Sequence, residues 1–162
     1  MRKKIFLILT ICLIYFQQSS SAKALDGIAK FPLNNNTTIS LEIADTDEEK
    51  TRGLMGRQNL PEKRGMIFIF KPERKVTFWM KDTLISLDMI FINKGKVVKI
   101  VKNALPNQTI VLYSSDTEVS EVIEVNGGFA DKYMIVVGSN VVYENINDIE
   151  PSEKSSLMIV AK

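Results

Sequence analysis

The stretch from residue 65 to residue 92 constrains the fold more than any other part of this sequence. It contains the only Trp of the chain, four of its eight Phe and three of its seven Met. Three short runs rich in β-branched and aromatic residues predict buried strands. These runs are Met66–Phe70, Val76–Met80 and Leu87–Ile92. Polar residues lie between the runs, and a polar group beside a core strand costs free energy unless it is paired or lines a pocket. The same stretch is therefore the best place to look for a site.

The first 24 residues have the three parts of a secretory signal peptide. Basic residues at positions 2–4 precede a predominantly apolar run at 5–16, and small residues in an A-x-A pattern end at Ala24. The run is shorter than the roughly 20 residues that span a bilayer. We therefore expect an exported protein, periplasmic or extracellular, that is cleaved after Ala24, with Ala22 as the second choice. The alternative is that the segment stays on the chain as an anchor.

Removal of this segment changes the charge and the chemistry of the chain. The sequence has 21 Lys and Arg against 19 Asp and Glu, but residues 1–24 hold four of the basic residues and no acid. The mature chain would carry a net charge of −2, without a basic patch that would indicate nucleic-acid binding. The only Cys, Cys12, lies inside the signal, and there is no His. Disulfides, Cys–His or Ser–His catalysis and ordinary zinc sites are thereby excluded from the mature chain.

Further strands and two short helices are expected along the rest of the chain. Thr46 and Glu49 form a capping box, which predicts a helix that reaches about Met55 and ends at Gly56. A second helical turn is expected at 129–133. The remaining strand patterns, several with apolar and polar residues in alternation, lie at 28–33, 37–44, 97–101, 110–113, 119–125 and 141–143. Pro32 predicts an edge strand, or the end of a strand, at 28–33. The strand at 119–125 is expected to have one wet face, with Glu121 on it.

These elements define a fold class and a domain organisation. Gly95 predicts the tight turn of a hairpin over residues 87–103. Short strands at hairpin spacing predict a mainly β (α+β) domain, with a compact barrel-like or strongly bent antiparallel or mixed sheet and one or two short helices. We expect a signal peptide over 1–24, a single domain over 25–145, and a polar tail over 146–162 in which residues 157–160 could add a strand.

Five motifs are similar to those of a known family. They are RGLMGR at 52–57, GMIFIF at 65–70, FWMKDTLISLDMIFI at 78–92, EVNGGF at 124–129 and VGSNV at 137–141. Over roughly residues 39–142 the chain resembles the DUF192 family, also called UPF0127. The resemblance implies a compact, β-rich and often exported domain with no established activity.

The chain departs from the family pattern at several positions. Asp82 stands where the family usually has Asn, Ser86 where it has Pro, and Gly127 where it has Ala. Many relatives have a Cys pair in the loop that corresponds to residues 106–113, and this chain has none. If that pair braces the loop in the relatives, the loop is looser here.

The strongest candidate site is a pocket around the Trp. It centres on the consecutive residues Trp79, Met80, Lys81, Asp82 and Thr83. A Trp followed directly by polar residues is unusual for a core strand, and Trp is seldom fully buried. Arg57 and Asp88 would add a cation and a carboxylate to this aromatic floor. The alternative is that Trp79 belongs to the core, Lys81 is solvated and Asp82 begins a turn.

A second candidate is the turn at residues 126–128. Asn126 and Gly128 flank a break between a strand and a helix, where successive backbone N–H groups could form an anion-binding nest. The alternative is a turn that requires Gly for its backbone conformation. Arg57, beyond the end of the first helix, could bind an anion as well, whereas Arg52 could pair with Glu48.

Two other chemistries remain open. Asp88 with Glu121 or Glu124 would supply an acid–base pair for glycan hydrolysis; the alternative is solvated or structurally paired acids. The thioethers of Met55, Met66, Met80 and Met89 would offer soft ligands to Cu(I). The alternative is that these methionines fill gaps in the core.

The sequence therefore favours an exported, non-catalytic binding module. It would bind a small anionic or sugar-like ligand, or a segment of a partner protein. We expect no catalytic residue, no cofactor, no metal, no nucleic-acid partner and no membrane contact after signal cleavage. The predicted ligand-binding residues are Arg57, Trp79, Met80, Lys81, Asp82, Thr83, Asp88, Glu124, Asn126 and Gly128. The alternatives are a carboxylate-dependent glycan hydrolase and a Met-based Cu(I) carrier.

Overall fold

The computed structural model describes residues 26–32, 36–144 and 146. The predicted signal peptide and most of the predicted tail, including residues 157–160, lie outside this part of the chain. The described strands are β1 (Asp26–Phe31), β2 (Thr37–Ala44), β3 (Arg64–Arg74), β4 (Thr77–Phe78), β5 (Leu87–Asn93), β6 (Lys96–Ala104), β7 (Tyr113–Ser114), β8 (Val119–Asn126) and β9 (Val142–Glu144). The described helices are α1 (Asp47–Arg52) and α2 (Phe129–Lys132). No described helix is long and apolar enough to cross a membrane.

Seven of these strands form one mixed sheet that curls into a half-barrel. Their order is β6-β5-β8-β3-β2-β1-β9, and β4 pairs separately with β7. Neighbouring strands are antiparallel except β2 and β3, which run parallel with Leu41 opposite Gly65. The segment before β9 hydrogen-bonds to the start of β6, through Val141 N to Gly95 O and a bridge between Lys96 and Asn140. The two edge strands are thus linked, and the predicted mainly β fold with a bent sheet and short helices is confirmed.

The two faces of the sheet carry separate hydrophobic cores. The first core includes Ile67, Ile90 and Ile123, together with Phe129 of α2. The second core lies on the other face and contains the alternate residues of the same strands. Its members include Met66, Phe68, Phe70, Met80, Met89, Phe91 and Val122, with Leu54 and Leu60 from the segment after α1. Because successive side chains of a strand point to opposite faces, the central strands are buried on both sides.

Local signals in the sequence account for the hairpin and for the start of α1. Lys94 and Gly95 both have positive φ, 49° and 71°, which is the backbone of the two-residue turns that join β-hairpins. Thr46 caps α1 with both bonds of the capping box to Glu49. The helix ends at Arg52 rather than near Met55, because Gly53 has φ 47° and ψ −131°, which is outside the helical region.

Three other expectations differ from the structure. Strand β1 is not an edge strand, because it pairs with both β2 and β9. Strand β8 has no wet face: Glu121 and Glu124 are both buried, because β8 lies between β3 and β5 and both faces of the sheet are covered. Ile146, the first residue of the predicted tail, is buried in the first core.

Candidate functional site

A cleft of about 450 Å³ opens on the second-core side of the sheet, between α1 and the β3–β4 connection. Its aromatic lining is Phe68, Phe70, Phe78 and Trp79, and its charged lining is Asp47, Lys50, Arg74 and Lys75. Binding pockets for small molecules have volumes of about 300–1,000 Å³ and are lined mainly by apolar and aromatic groups. This volume and lining suit a small ligand with an apolar part.

Phe78 is the centre of the aromatic lining. Its ring makes edge-to-face contacts with Phe68, Phe70 and Phe91, at centroid distances of 5.0, 6.4 and 6.0 Å. Such aromatic pairs contribute about 0.5–1.5 kcal/mol each beyond the area that they bury. The neighbouring Trp79 is 44% exposed. A half-buried Phe fixed by three rings thus supports a Trp whose indole remains accessible.

Cations surround these rings. Lys50 Nζ lies 5.4 Å and the Arg74 guanidinium carbon 5.2 Å from the centroid of the Phe70 ring. Lys81 Nζ lies 5.4 Å from the centroid of the Trp79 ring. Burial, followed by the repulsion of Arg74, lowers the pKa of Lys50. A bound anion between Lys50 and Arg74 would relieve this repulsion.

A second, much smaller space adjoins the cleft and has the carboxyl group of Glu124 in its lining. This space, the Glu124 chamber, has a volume of about 20 Å³ and shares Lys50, Thr51, Phe68, Phe78 and Trp79 with the cleft. The rest of its lining is Arg52, Gly53, Leu54, Met55, Thr83 and Glu124. The chamber therefore extends the aromatic wall of the cleft inward toward the sheet.

The carboxyl group of Glu124 has an unusual environment. Glu124 is 4% exposed, and no described residue hydrogen-bonds or ion-pairs with its carboxyl group. In register across the sheet, Met66 of β3 and Met89 of β5 lie directly opposite Glu124 on either side. Burial among these groups raises the pKa of Glu124 to about 8. A carboxyl group with a strongly raised pKa in a pocket is a mark of functional sites.

The predicted site residues in the loop between β4 and β5 have different locations: some line the chamber, one is in the core, and others are exposed to solvent. Trp79 and Thr83 line the chamber with Glu124, whereas Met80 is fully buried in the second core. Lys81 is exposed but lies over the Trp79 ring. Asp82 is exposed with φ 53°, and its carbonyl accepts a hydrogen bond from Gly56 N.

Asp88 lies on the opposite face of the sheet and does not reach the cleft. It is fully buried, and its carboxylate accepts hydrogen bonds from Asn103 N at 2.8 Å, Gly128 N at 3.0 Å and Ala130 N at 2.8 Å. The backbone at Gly128 therefore does bind an anion, as the turn predicts, but the anion is the carboxylate of Asp88. This arrangement leaves Asp88 and Gly128 as structural groups away from Trp79.

Asn126 and Arg57 are also engaged elsewhere. The Asn126 side-chain amide donates hydrogen bonds to the carbonyls of Leu60 at 2.9 Å and Pro61 at 3.3 Å. The two terminal nitrogens of Arg57 each donate to a carboxylate oxygen of Glu42, and these bonds raise the pKa of Arg57. Neither residue lines the cleft or the chamber.

Sequence reasoning missed the cations and part of the aromatic wall. Lys50 and Arg74 come from α1 and from the end of β3, and Phe68 and Phe70 were assigned only to the core. The apolar side of β3 was visible in the sequence. The position of this apolar side beneath α1 depends on the parallel pairing of β2 with β3. No local sequence pattern predicts that pairing.

The comparisons with known proteins place the chain in a family. The DUF192 family, described as "Uncharacterized ACR", matches residues 30–143, so the chain belongs to DUF192. A search of curated proteins finds no match.

Two solved structures are similar to this fold. A protein of unknown function from Novosphingobium aromaticivorans DSM 12444 has 31% identity and a TM-score of 0.69, over 77% of this chain and 89% of its own. A proposed transcription regulator from Sinorhizobium meliloti 1021 has 27% identity and a TM-score of 0.68, over 75% of this chain and 95% of its own. Both agree with the fold, and neither description names a ligand.

Proposed function

We propose that this protein is an exported, non-catalytic binding module for a small anionic ligand with a flat or ring-shaped body, such as an aryl or sugar phosphate. The observation that carries the proposal is the cleft, in which an accessible Trp79 and the Phe78 ring lie beside Lys50, Arg74 and Lys75. Rings stack on aromatic side chains, and guanidinium and ammonium groups bind phosphate or carboxylate.

The charge of the cleft favours an anion over a neutral or cationic ligand. Three cations and one acid, Asp47, line it. Arg74 and Lys75 have no ion-pair partner among the described residues. A ligand anion would therefore gain new ion pairs with Arg74 and Lys75 without breaking existing ones, whereas Lys50 Nζ already donates a hydrogen bond to the Asp45 carbonyl.

The carboxylates do not support the hydrolase alternative. Asp88 and Glu124 lie on opposite faces of the sheet, since Asp88 is opposite Val125 and Met89 is opposite Glu124. Glu121 shares a face with Asp88 but is in register with Ile92. Four residues of strand separate the two carboxylates by roughly 13 Å, beyond the range of about 5–9.5 Å found in glycosidases.

The methionines favour packing over a Cu(I) site. Met66, Met80 and Met89 are buried members of the second core, and only Met55 lines the chamber. Among the described residues, no group of three or more Cys, Asp or Glu could hold a metal ion. We therefore prefer the binding module to the Cu(I) carrier.

A segment of a partner protein is the second candidate ligand. Phe78 lies opposite Tyr113 in the antiparallel pair of β4 and β7. The next residues in the same direction are Trp79 on one chain segment and Leu112 on the other, so these two residues are neighbours. Beyond Leu112, the 105–112 loop exposes large apolar side chains, with Ile110 92% exposed. Trp79 therefore adjoins an apolar surface that a peptide could cover.

The test is a ligand panel on residues 25–162. Aryl phosphates, sugar phosphates, nucleotides, neutral sugars, peptides and Cu(I) are compared by melting temperature and by Trp79 fluorescence. A ligand at 100 times its Kd stabilises by about 2.7 kcal/mol, which shifts the melting temperature of such a domain by roughly 9 °C. We expect the shift with phosphates, and we expect Trp79→Ala and Arg74→Met to abolish it.

The control is Lys94→Met, which removes an exposed cation of the β5–β6 turn, outside the cleft. It should leave the shift unchanged. A phosphate-induced shift that survives in Arg74→Met, or no shift with any phosphate, would reject the proposal. A shift with peptides alone, lost in Leu112→Ser, would identify the partner segment instead.

A further inference from the structure

Glu124 occupies a fixed position from which it can contact the inner end of a molecule in the cleft. Strand β8 is held between β3 and β5 on both sides, so the Glu124 backbone lies in the middle of the sheet. The chamber in front of its carboxyl group shares five lining residues with the cleft. A ligand stacked on Phe78 and Trp79 therefore has its inner end next to Glu124.

Gly53 leaves open the space in front of this carboxyl group. A Cβ atom at Gly53 would lie 3.3 Å from Phe68 and 3.9 Å from Glu124 Oε2. The chamber of about 20 Å³ exceeds the roughly 10–15 Å³ that one water molecule requires. It accepts a single terminal atom of a ligand but no larger group.

The groups around Glu124 determine what that atom can be. Lys50 and Arg52 of α1 are the cations of the chamber lining. Met66 and Met89 flank Glu124 on the strands, and Asp88 and Glu121 face the other core. Lys81 and Asp82 of the adjoining loop are exposed. Burial raises the pKa of Glu124 to about 8, so near neutral pH the group is a carboxylic acid with an O–H to donate. Such a donor is satisfied by an acceptor oxygen on the ligand.

We propose that Glu124 determines specificity at the inner end of the site by donating a hydrogen bond to a carbonyl oxygen of the ligand, while Lys50, Arg74 and Lys75 bind an anionic group at its outer end. The ligand class is therefore a flat anionic compound with a carbonyl oxygen opposite its anionic group. This inference rests on the proposed function and adds the second recognition point.

Matched aryl phosphates test it on the mature chain. The probes are 4-acetylphenyl phosphate, 4-isopropylphenyl phosphate, which has a similar shape but no acceptor, and 4-(aminomethyl)phenyl phosphate, which carries an ammonium group. Kd values are measured by Trp79 fluorescence at pH 7 and pH 9. We expect the acetyl probe to bind roughly tenfold tighter than the isopropyl probe at pH 7. The acetyl probe should weaken roughly tenfold more than the isopropyl probe by pH 9, as Glu124 loses its proton.

Two variants assign this dependence to Glu124. Glu124→Gln keeps an N–H donor, so it should retain the acetyl preference at both pH values, whereas Glu124→Met should lose the preference. Loss of the proton from Lys50 at high pH weakens all three phosphates and cancels in the ratio of acetyl to isopropyl.

Each outcome decides between the two proposals. If the phosphates bind but the acetyl and isopropyl probes are equal at pH 7, or the ammonium probe binds tightest, the role of Glu124 is wrong while the cleft stands. The same holds if the pH dependence of the ratio persists in Glu124→Gln. If no phosphate binds the chain or Glu124→Gln at pH 7, the proposed function fails and this inference fails with it.

Discussion

Single residues decide the electrostatics of this protein, and Glu124 is the main case. Its carboxyl group lies between Met66 and Met89 on a covered face of the sheet, without a hydrogen-bond partner among the described residues. An ionised carboxylate in such surroundings costs several kcal/mol, so the group keeps its proton. The raised pKa links the stability of the fold to pH.

Stability should fall with pH because of Glu124. The pKa of the folded state, about 8, is above the ordinary 4.5. Below pH 4.5 the group has no effect on stability; between pH 4.5 and 8 the unfolded state loses a proton that the folded state keeps, and stability falls. The total loss is about 5 kcal/mol.

Urea unfolding at pH 5 and pH 8.5 checks this expectation. Wild type should become less stable at pH 8.5, whereas Glu124→Gln should lose much less of its free energy of unfolding over the same interval. Because other groups titrate equally in both proteins, a parallel decrease in wild type and Glu124→Gln would show that Glu124 is not the cause.

Strands and helices are held together here by a single buried carboxylate. Asp88 in β5 accepts backbone hydrogen bonds from Asn103, near the end of β6, and from Gly128 and Ala130 around the start of α2. One side chain thus satisfies three buried or half-buried N–H groups that the sheet itself leaves unpaired. Buried backbone donors without a partner cost about 1–3 kcal/mol each.

Loss of this carboxylate should be among the more damaging substitutions. Asp88→Ala should lower the free energy of unfolding by roughly 3–5 kcal/mol, because it leaves these three backbone N–H groups without an acceptor. The free energy of unfolding of Asp88→Asn should lie between those of wild type and Asp88→Ala, since the side-chain oxygen of Asn still accepts a hydrogen bond. The control is Asp131→Ala, which removes only the exposed pair with Lys102 and should cost about 1 kcal/mol or less. Similar costs for Asp88→Ala and Asp131→Ala in urea unfolding would contradict this role.

At the scale of the whole molecule, the site and the predicted export are separate properties. The described domain holds the cleft on one side of a continuous sheet. The predicted signal peptide lies in residues 1–24, outside the described chain. The domain therefore forms its cleft from residues that remain after the proposed cleavage.

Export can be tested directly on the full sequence. When all 162 residues are expressed in a bacterial host, we expect the exported fraction to begin at Leu25, or at Lys23 if cleavage follows Ala22. Intact-mass measurement of the periplasmic and medium fractions checks the start. A chain that retains its first residues and stays in the cell would contradict the predicted signal.

Local sequence determined the elements whose causes are local. The capping box of Thr46 and Glu49 starts α1, Lys94 and Gly95 form the hairpin turn, and the apolar runs at 66–70 and 87–92 form β3 and β5. These features depend on neighbours within a few residues. The mainly β class followed from the same signals, and they also drew attention to Trp79, which lines the cleft.

Only the tertiary structure decided what lies on each side of a strand. An alternating pattern tells which residues share a face, but not whether another layer covers that face, so the sequence places Glu121 on a wet face although it is buried. Likewise, the nest at Gly128 was visible in the sequence, but its anion, Asp88, lies 40 residues away along the chain. Burial and long-range pairing depend on the strand order of the sheet, and that order results from packing over the whole chain rather than from any local segment.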